Sequence, residues 1–391
     1  MSKFPINPAI IPWAIQRLRL SRADFAHKLG TSENMVKAWE IGEKKPTGKQ
    51  AQEIADRLFI PLGYLMLDEL PNISLDAVDF RTSGNYRMKE PSQELWATYN
   101  EAVYRQQWYK EYAIENEYTP CEFVGSLNMM TPVMEASKKI REILQLGEDD
   151  LSSYKTWENY YNRLIYAMEE TAGVMVMRNS MVGNNSHRPL SVEEFRGFAI
   201  ADPIAPLIFI NTRDSRNAQL FTLIHEFVHL LIGHGGISGN DLLGKVSNKV
   251  ECYCNQVAAE FLVPEDSLRQ NWPNEIRGIE ELHNVIKKLG KRFHVSGMVM
   301  IIRCRYLDLI SELVAGQLWE KEVAAIQIAK ENSSGGGDPY KTMLNRISPL
   351  FARTIIYQAE AGEIQLGDAY KLLNVKNHAA MKAFAKELGV A

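Results

Sequence analysis

The chain has 391 residues, of which 46% are hydrophobic and 24% are charged. This length exceeds one ordinary core, so we expect two or three domains, and the composition excludes a largely disordered protein. The net charge of −4 excludes a protein that is basic throughout, but residues 1–67 contain ten Lys and Arg against six Asp and Glu, which places +4 there and −8 in the rest. A basic N-terminal segment followed by an acidic remainder of the chain is consistent with a nucleic-acid-binding module at the N-terminus.

The cysteine content and the N-terminal sequence indicate the compartment. Four cysteines in a chain of this length do not form a disulfide framework. The first residues, MSKFPINPAIIPW, lack the apolar segment and the cleavage site of a signal peptide. No run of 18 or more apolar residues is present. We therefore expect a cytoplasmic protein without a membrane partner.

The front of the chain predicts two short helices joined by a tight turn. Apolar residues recur at helical spacing through residues 13–42. Ser21 and Ser32 are suited to cap the two helices, of which the first ends at Gly30 and the second near Glu40. Two short helices joined by a turn of three or four residues that includes a glycine form a helix-turn-helix.

This segment, with WEIG at positions 39–42, resembles the Cro/repressor-type (XRE) helix-turn-helix family over about 55 residues. The resemblance implies operator DNA as a partner and a second helix that enters the major groove by its N-terminal half. Base edges or phosphates would then face Ser32, Glu33, Asn34 and Lys37, and Arg22 would contact the DNA backbone. Arg22 stands where the family usually has Gln, which puts its phosphate contact in doubt. The alternative is a module used for homodimerisation or for docking a partner.

The middle of the chain predicts three helices and a strand. Residues 92–118 are aromatic-rich and predict one long helix. Thr131 is suited to be the N-cap of the next helix, with Pro132 in its first position. Residues 205–211 (APLIFIN) predict a buried strand, along whose edge an extended substrate could pair. Residues 216–232 are apolar and predict a buried helix.

That last helix contains the sequence HEFVH, which has the form HExxH. His225 and His229 lie on one helical face with Cβ atoms about 5–6 Å apart, so both imidazoles can share a metal ion. Glu226 lies about 100° round the helix and can act as a general base without being a ligand. Three titratable side chains buried without partners would be costly, and metal binding removes that cost. The pattern predicts a Zn²⁺ site with Glu226 as the catalytic base; the alternative is a satisfied pair of core histidines.

A catalytic zinc needs a third protein ligand. The metzincin arrangement fails because His234 comes one residue too early. In the segment 251–264 (ECYCNQVAAEFLVP), Glu251 and Asn255 lie four apart on one helical face, so Glu251 can complete the site and Asn255 can orient a histidine. Glu260 lies about 180° round the same helix, which favours Glu251 as the ligand. We interpret the two cysteines of this segment as packing residues.

HEFVH and ECYCNQVAAEFLVP together resemble the ImmA/IrrE family of metallopeptidases, over roughly residues 131–311, and the linker element VDFRT (78–82) resembles its long members. The resemblance implies an endopeptidase of low turnover that cuts a helix-turn-helix repressor and so switches on phage, mobile-element or stress genes. Long members are also found paired with toxins. The residue that helps to stabilise the oxyanion stays open among His283, His294 and Tyr253.

Residues 333–337 (SSGGG) predict a flexible linker, and the apolar residues beyond it recur at helical spacing. We expect the tail to fold separately and to dock on its own chain, on a second copy or on a protein partner. The predicted fold is multidomain and mainly α: an all-α helix-turn-helix domain (1–70), a helical linker region (71–130), an α+β zincin-like peptidase domain of the gluzincin type with a small sheet (131–332), and a C-terminal helical domain (338–391).

Two functions are open from the sequence. The first is a DNA-binding transcription regulator whose zinc-dependent endopeptidase domain cleaves or controls a partner protein such as a repressor. The second is an antitoxin or repressor that binds DNA and neutralises a toxin by binding, with little or no proteolysis. Glu226 favours the first function, because a protein that only binds has no need of a base beside the metal. The fused DNA module and the extra C-terminal domain favour the second.

Overall fold

The structure is a computed structural model that describes residues 3–18, 20–58, 60, 62–70, 91–147, 154, 156–238, 249–331 and 346–390. The predicted linkers at 78–82 and 333–337 lie outside these ranges. The chain divides into two compact units. Of the described residues, those within 3–70, 91–108 and 181–189 form the first unit, and those within 109–180 and 190–390 form the second.

The first unit begins with short helices whose ends follow the predicted caps. The Ser21 side chain accepts a hydrogen bond from the Asp24 backbone, and the Asp24 carboxylate accepts one from the Ser21 backbone, which closes a capping box. Gly30 ends that helix in the left-handed conformation, with φ of 62°. Ser32 caps the next helix. The helices are α1 (Ile10–Arg17), α2 (Arg22–Leu29), α3 (Glu33–Glu40) and α4 (Gly48–Leu58), followed by a 3₁₀ turn (Leu62–Met66).

The next two helices along the chain agree with the predicted pair, except that one begins later than predicted. The aromatic-rich segment forms α5 (Gln93–Glu115), which confirms the long helix. The helix after it is α6 (Val133–Ile143), and Pro132 occupies its cap position with ψ of 139°. The predicted cap at Thr131 is therefore wrong by one residue, because the extended backbone of Pro132 delays the first helical turn to Val133.

The second unit contains a four-stranded sheet of order β1-β3-β2-β4. β1 (Met175–Asn179) runs parallel to β3 (Leu207–Asn211), and β2 (Gly197–Ile200) runs antiparallel to both β3 and β4 (Gly236–Ser238). All five residues of β3 are buried, as predicted. The prediction that a substrate pairs along the edge of β3 is wrong, because β1 and β2 occupy both of its edges.

Helices cover this sheet and bury one continuous core. Helix α8 (Arg216–Leu231) packs on β2 and β3, and helix α9 (Lys249–Leu262) packs on both α8 and α6. The core contains residues of these elements together with residues of the helices that come after them. The helices of this region are α7 (Trp157–Tyr166), a π-helical turn (Ala167–Thr171), α8 (Arg216–Leu231), α9 (Lys249–Leu262), α10 (Glu265–Asn271), α11 (Gly278–Arg292), α12 (Gly297–Tyr306) and α13 (Glu312–Glu331).

The C-terminal helices α14 (Pro349–Glu360), α15 (Leu366–Leu372) and α16 (His378–Glu387) belong to the second unit. The backbone N–H of Arg178 in β1 donates to the Arg346 carbonyl at 3.2 Å. The backbone N–H of Leu350 donates to the Glu169 carboxylate at 3.3 Å. The tail therefore docks on its own chain, beside β1, and the boundary of a separate domain at 338 stays a prediction.

The mainly α architecture is confirmed: a helix-turn-helix at the front, a small sheet in the central domain, and helices at the end. Within the described ranges, none of the helices has the length and apolar character that crossing a lipid bilayer requires.

Candidate functional site

The HExxH sequence lies in the last two turns of α8, a deeply buried helix of the second unit. Ser215 starts this helix by accepting a hydrogen bond from the Ala218 backbone. Every residue from Gln219 to Leu231 is buried. His225, Glu226 and His229 are 4%, 0% and 3% exposed, so three titratable side chains lie together in an apolar environment. Such burial is stable only where the polar groups interact with one another or with a ligand.

The structure brings Glu251 of α9 to the two histidines of α8. The Nε2 atoms of His225 and His229 lie 3.1 Å apart. One carboxylate oxygen of Glu251 lies 3.2 Å from Nε2 of His225, and the other lies 3.2 Å from Nε2 of His229. The three donor groups lie within 4.8 Å of one another, and in the described part of the chain they form a group that could hold a metal ion.

The Glu251 carboxylate is charged in this position. Burial by itself would raise its pKa, but the hydrogen bonds from His225 and His229 hold the pKa well below its ordinary value. The helix that carries it is fixed on two sides, since α9 packs on α8 and α6, and the Tyr253 hydroxyl donates to the Thr131 carbonyl at 2.9 Å. The geometry thus supplies two imidazoles and one carboxylate from two rigid elements.

Glu226 lies on the sheet side of α8, against a glycine of β2. A Cβ atom on Gly197 would come within 3.1 Å of Oε1 of Glu226, 2.7 Å of Cγ2 of Thr222 and 2.8 Å of the Phe209 carbonyl. Only a residue without a side chain fits there. Gly197 therefore sets how closely β2 approaches the Glu226 carboxylate. The sequence did not single out Gly197, because neither the strand that contains it nor that strand's pairing was predicted.

The rejected ligand Glu260 has a different partner. Its carboxylate forms an ion pair with the guanidinium of Arg303 from α12, and both side chains are buried. Arg303 also donates to the Val263 carbonyl at 3.0 Å. Burial lowers the pKa of Arg303 to about 10, which still leaves it charged at neutral pH. This ion pair joins α9 to α12. The sequence did not predict Arg303 as the partner of Glu260.

The predicted role of Asn255 is not supported by a hydrogen bond. When Nε2 of an imidazole faces a metal, Nδ1 is the atom that a second residue orients. Among the described residues, neither Nδ1 of His225 nor Nδ1 of His229 has a hydrogen-bond partner. Asn255 instead lines an apolar cavity with Phe221, Ala259 and other residues of α8, α9 and α12. The spacing of four residues between Glu251 and Asn255 correctly predicted that both lie on one helix. It did not predict a contact between Asn255 and a histidine correctly.

The three residues considered for the oxyanion interact with other groups. His283 lies 2.7 Å from the Glu322 carboxylate. Nε2 of His294 lies 3.0 Å from the Tyr154 carbonyl, and the Tyr253 hydroxyl donates to Thr131. None of these contacts involves the three donors, so the structure does not select an oxyanion donor among them.

The burial of Cys254 in α9 is consistent with a packing role. Cys254 is fully buried, and burial, followed by the nearby Glu251 and Glu226 carboxylates, raises the pKa of its thiol well above the ordinary value. A thiol with a raised pKa stays protonated and is a poor metal ligand.

Of the predicted DNA-contacting residues, Ser32, Glu33 and Asn34 lie at the start of α3, Lys37 lies in its last turn, and Arg22 begins α2. Ser32, Glu33, Asn34 and Lys37 are exposed, and the Ser32 hydroxyl caps the helix. Arg22 behaves differently: its guanidinium lies 2.7 Å from Glu40 and 3.9 Å from Glu33, so it joins α2 to α3. The phosphate contact proposed for Arg22 would compete with these two carboxylates, whereas Asn34 and Lys37 face solvent.

The two sites lie in segments that match known families. Residues 13–65 match the model of a helix-turn-helix domain, and residues 169–305 match the model of the IrrE N-terminal-like domain, peptidase M78. Residues 347–387 match the model of a domain of unknown function, DUF8813. No curated protein and no solved structure gives a significant match. The chain therefore joins an XRE-type helix-turn-helix domain to an IrrE N-terminal-like domain of the peptidase M78 type.

Proposed function

We propose that this protein is a DNA-binding transcription regulator whose central domain is a zinc-dependent endopeptidase that cleaves a partner protein. The observation that carries the peptidase part is the convergence of the donor atoms of His225, His229 and Glu251 on one point, with Glu226 beside them. The match of residues 169–305 to a peptidase domain supports the reaction class.

The distances between the donor atoms suit zinc. Two ligand atoms at about 2.0–2.1 Å from one tetrahedral zinc lie about 3.3 Å apart. The separations among the Nε2 atoms and the carboxylate oxygens are 3.1, 3.2 and 3.2 Å. Two histidines and one glutamate form a recurrent ligand set of catalytic zinc, which leaves a further coordination position for the reaction. When bound, zinc supplies a Lewis acid that polarises the scissile carbonyl and makes water nucleophilic at neutral pH.

The residues of the chain then carry out the proton transfers. Glu226 is fully buried and sits in the helix turn that contains both histidines, so it can take the proton from the attacking water and deliver it to the nitrogen of the departing amine. It needs no contact with the metal for this role. The close approach of Gly197 positions the Glu226 carboxylate from the sheet side.

The N-terminal domain supplies the regulatory connection. Its recognition helix α3 exposes Asn34 and Lys37, which are suited to contact base edges and phosphates of operator DNA. A peptidase attached to such a domain would act on a protein that controls transcription. We propose a helix-turn-helix repressor as that substrate, since the resemblance to the ImmA/IrrE family implies it.

Two matched variants test the metal assignment. We expect about one zinc per chain in the wild type after purification without chelators. Glu251→Gln exchanges a ligand carboxylate for an amide and should lose zinc, whereas Glu226→Gln makes the same chemical change one position from a ligand and should retain it. Metal analysis of both variants measures this difference. A wild type without zinc, or equal loss in both variants, would show that the assignment is wrong.

Cleavage is tested by comparing cells that express the wild type with cells that express Glu226→Gln. Mass spectrometry of protein N-termini should reveal new termini that appear with the wild type alone. Identical sets of termini, at full zinc occupancy of the wild type, would overturn the peptidase proposal. That result would favour the alternative in which the protein controls a toxin or a repressor by binding.

A further inference from the structure

The second unit contains a cavity that is separate from the three donor residues. It has a volume of about 310 Å³ and lies where the parallel strands β1 and β3 end, next to the first residues of α8. Ligands of α/β proteins commonly bind outside the carboxyl ends of parallel strands. Three arginines line the cavity: Arg178 from β1, Arg216 from the first position of α8, and Arg346 from the chain that leads into the C-terminal helices.

Two of the guanidinium groups lie against aromatic rings. Trp157 and Tyr161 of α7 stack with ring centroids 4.6 Å apart and an interplanar angle of 17°. The guanidinium of Arg216 lies over the Trp157 ring at 6.0 Å, and that of Arg178 lies over the Tyr161 ring at 5.5 Å. A guanidinium that contacts a ring through its face keeps N–H groups at its edge, where they can donate to an anion. The aromatic pair thus orients both arginines without neutralising them.

Arg346 brings a third cation to the same cavity from the C-terminal module. Its carbonyl accepts the hydrogen bond from the Arg178 backbone at 3.2 Å, so the two residues adjoin. Burial lowers the pKa of Arg346, which shows that its charge is partly withdrawn from water. A cation in this position gains more from an anionic ligand than an exposed surface arginine does.

Two acidic side chains lie close to the arginines of the cavity. Glu158 lines the cavity and forms an ion pair with Arg216, but both side chains are largely exposed to solvent. Glu169 is buried, and burial raises the pKa of its carboxyl group to about 7. The nearby charge of Arg178 has a smaller effect in the opposite direction. Among the described residues that line the cavity, three are arginines and one, Glu158, is acidic.

We propose that this cavity binds a small phosphate-bearing anion. A phosphate monoester carries about −1.5 to −2 charges and several acceptor oxygens, which suits cations that approach from three different elements. The hydroxyl groups of Ser180 and Thr212 and the N-terminal end of α8 add further donors around the cavity. A dicarboxylate such as succinate has a similar charge, but its two planar groups are separated by two methylene carbons and cannot place their oxygens around one point as a phosphate does.

The position of the cavity connects three parts of the molecule. Gln219 of α8 lines it and lies six residues before His225, which corresponds to about 9 Å along the helix axis. Arg346 belongs to the segment that leads into the C-terminal module. A bound phosphate would therefore hold that module against the helix that carries the two histidines. The site does not depend on the proposed peptidase activity.

Calorimetric titration of the full-length, zinc-loaded protein tests the proposal, with inorganic phosphate, adenosine monophosphate and succinate as probes. We expect saturable binding of phosphate or the monophosphate with one site per chain, and at least tenfold weaker binding of succinate. Arg216→Gln and Arg346→Gln should each raise the Kd at least tenfold. Glu158→Gln removes the competing carboxylate and should lower the Kd severalfold.

Arg213→Gln is the matched control, because Arg213 is an exposed arginine three residues before Arg216 and does not line the cavity. Its Kd should stay within twofold of the wild type, and circular dichroism and zinc content should be unchanged in all variants. Absence of binding to the folded wild type would overturn the proposal. An equal loss in the Arg213 variant would show attraction to general positive charge, and tighter binding of succinate would overturn the phosphate assignment.

Discussion

Replacement of Gly197 by alanine tests how the sheet positions the proposed catalytic base. The new Cβ would lie 2.8 Å from the Phe209 carbonyl and 2.7 Å from Cγ2 of Thr222. Ordinary contacts between carbon atoms are about 3.5–4.0 Å, so the contact with Cγ2 of Thr222 is about 1 Å too short, and the contact with the Phe209 carbonyl oxygen is also too close. The third neighbour is Oε1 of Glu226 at 3.1 Å. At least one of β2, α8 and the Glu226 side chain must therefore move.

The structure limits which of these groups can yield. The Phe209 carbonyl belongs to β3, whose residue Ile210 is in register with Gly197, so a shift there disturbs the ladder between the two strands. Overpacking of a well-packed core costs about 1–3 kcal/mol. For a domain of this size we expect the Tm to fall by about 2–12 °C. A displacement of the Glu226 carboxylate by about 1 Å would lower the cleavage rate by about a hundredfold, with zinc retained.

Differential scanning calorimetry, metal analysis and cleavage assays measure these effects. Gly316→Ala is the matched control: a Cβ there meets no atom within 4 Å, and an alanine inside α13 should be neutral or stabilising by about 0.5–1 kcal/mol. Adding Thr222→Ser to Gly197→Ala removes the Cγ2 contact and should restore part of the lost stability. Wild-type stability and cleavage in the Gly197 variant would refute the reasoning.

Three further results are expected. Arg303→Met leaves the Glu260 carboxylate buried without its cation and should lower the free energy of unfolding by about 3–5 kcal/mol in urea titrations, whereas a double variant that also carries Glu260→Leu should regain most of this loss. Burial raises the pKa of Glu169 to about 7, so between about pH 4.5 and pH 7 the folded state binds a proton that the unfolded state releases. The free energy of unfolding should therefore fall as the pH rises through this range. Glu169→Gln should flatten the dependence, as measured by denaturation curves at pH 5 and pH 7.5. Lys37→Ala and Asn34→Ala should weaken gel-shift binding to a palindromic site upstream of the gene without changing zinc content, and Lys37→Ala should reduce the salt dependence by about one counterion. Unchanged DNA affinity in both α3 variants would argue against α3 as the recognition helix.

Local patterns in the sequence predicted the elements that local chemistry determines. Ser21 and Ser32 cap the helices that they were expected to cap, because an N-cap depends only on hydrogen bonds within the first turn. The run at 205–211 gave β3, since a continuous apolar segment of that length suits a strand buried on both faces. The HExxH spacing placed His225 and His229 together for the same reason: helical geometry fixes which residues share a face. The contact of Glu251 with them depends in addition on the packing of α9 against α8.

Contacts that depend on distant segments were not predictable in this way. β2 is a strand of four residues that pairs with β3 and with β4, and its short sequence GFAI carries no alternation that distinguishes it from a loop. Without β2, neither the close approach of Gly197 to Glu226 nor the central position of β3 could be inferred. The pair between Glu260 and Arg303 was missed similarly, because 43 residues separate its members and a charged residue in a helix is usually exposed.

The C-terminal module is held against β1 by contacts that its own residues make. The composition SSGGG predicts a segment that does not itself fix the position of the helices after it. This prediction does not say whether those helices dock on the rest of the chain. Docking depends instead on contacts that the module itself makes: the Arg346 carbonyl pairs with β1, the Leu350 backbone donates to Glu169, and Arg353 forms an ion pair with Glu170. These contacts lie beside β1, an edge strand of the sheet, which would otherwise expose backbone hydrogen-bonding groups. Removal of the module would therefore uncover β1 and the buried Glu169 together, so that loss of stability is expected even where the zinc ligands, carried by α8 and α9, are untouched.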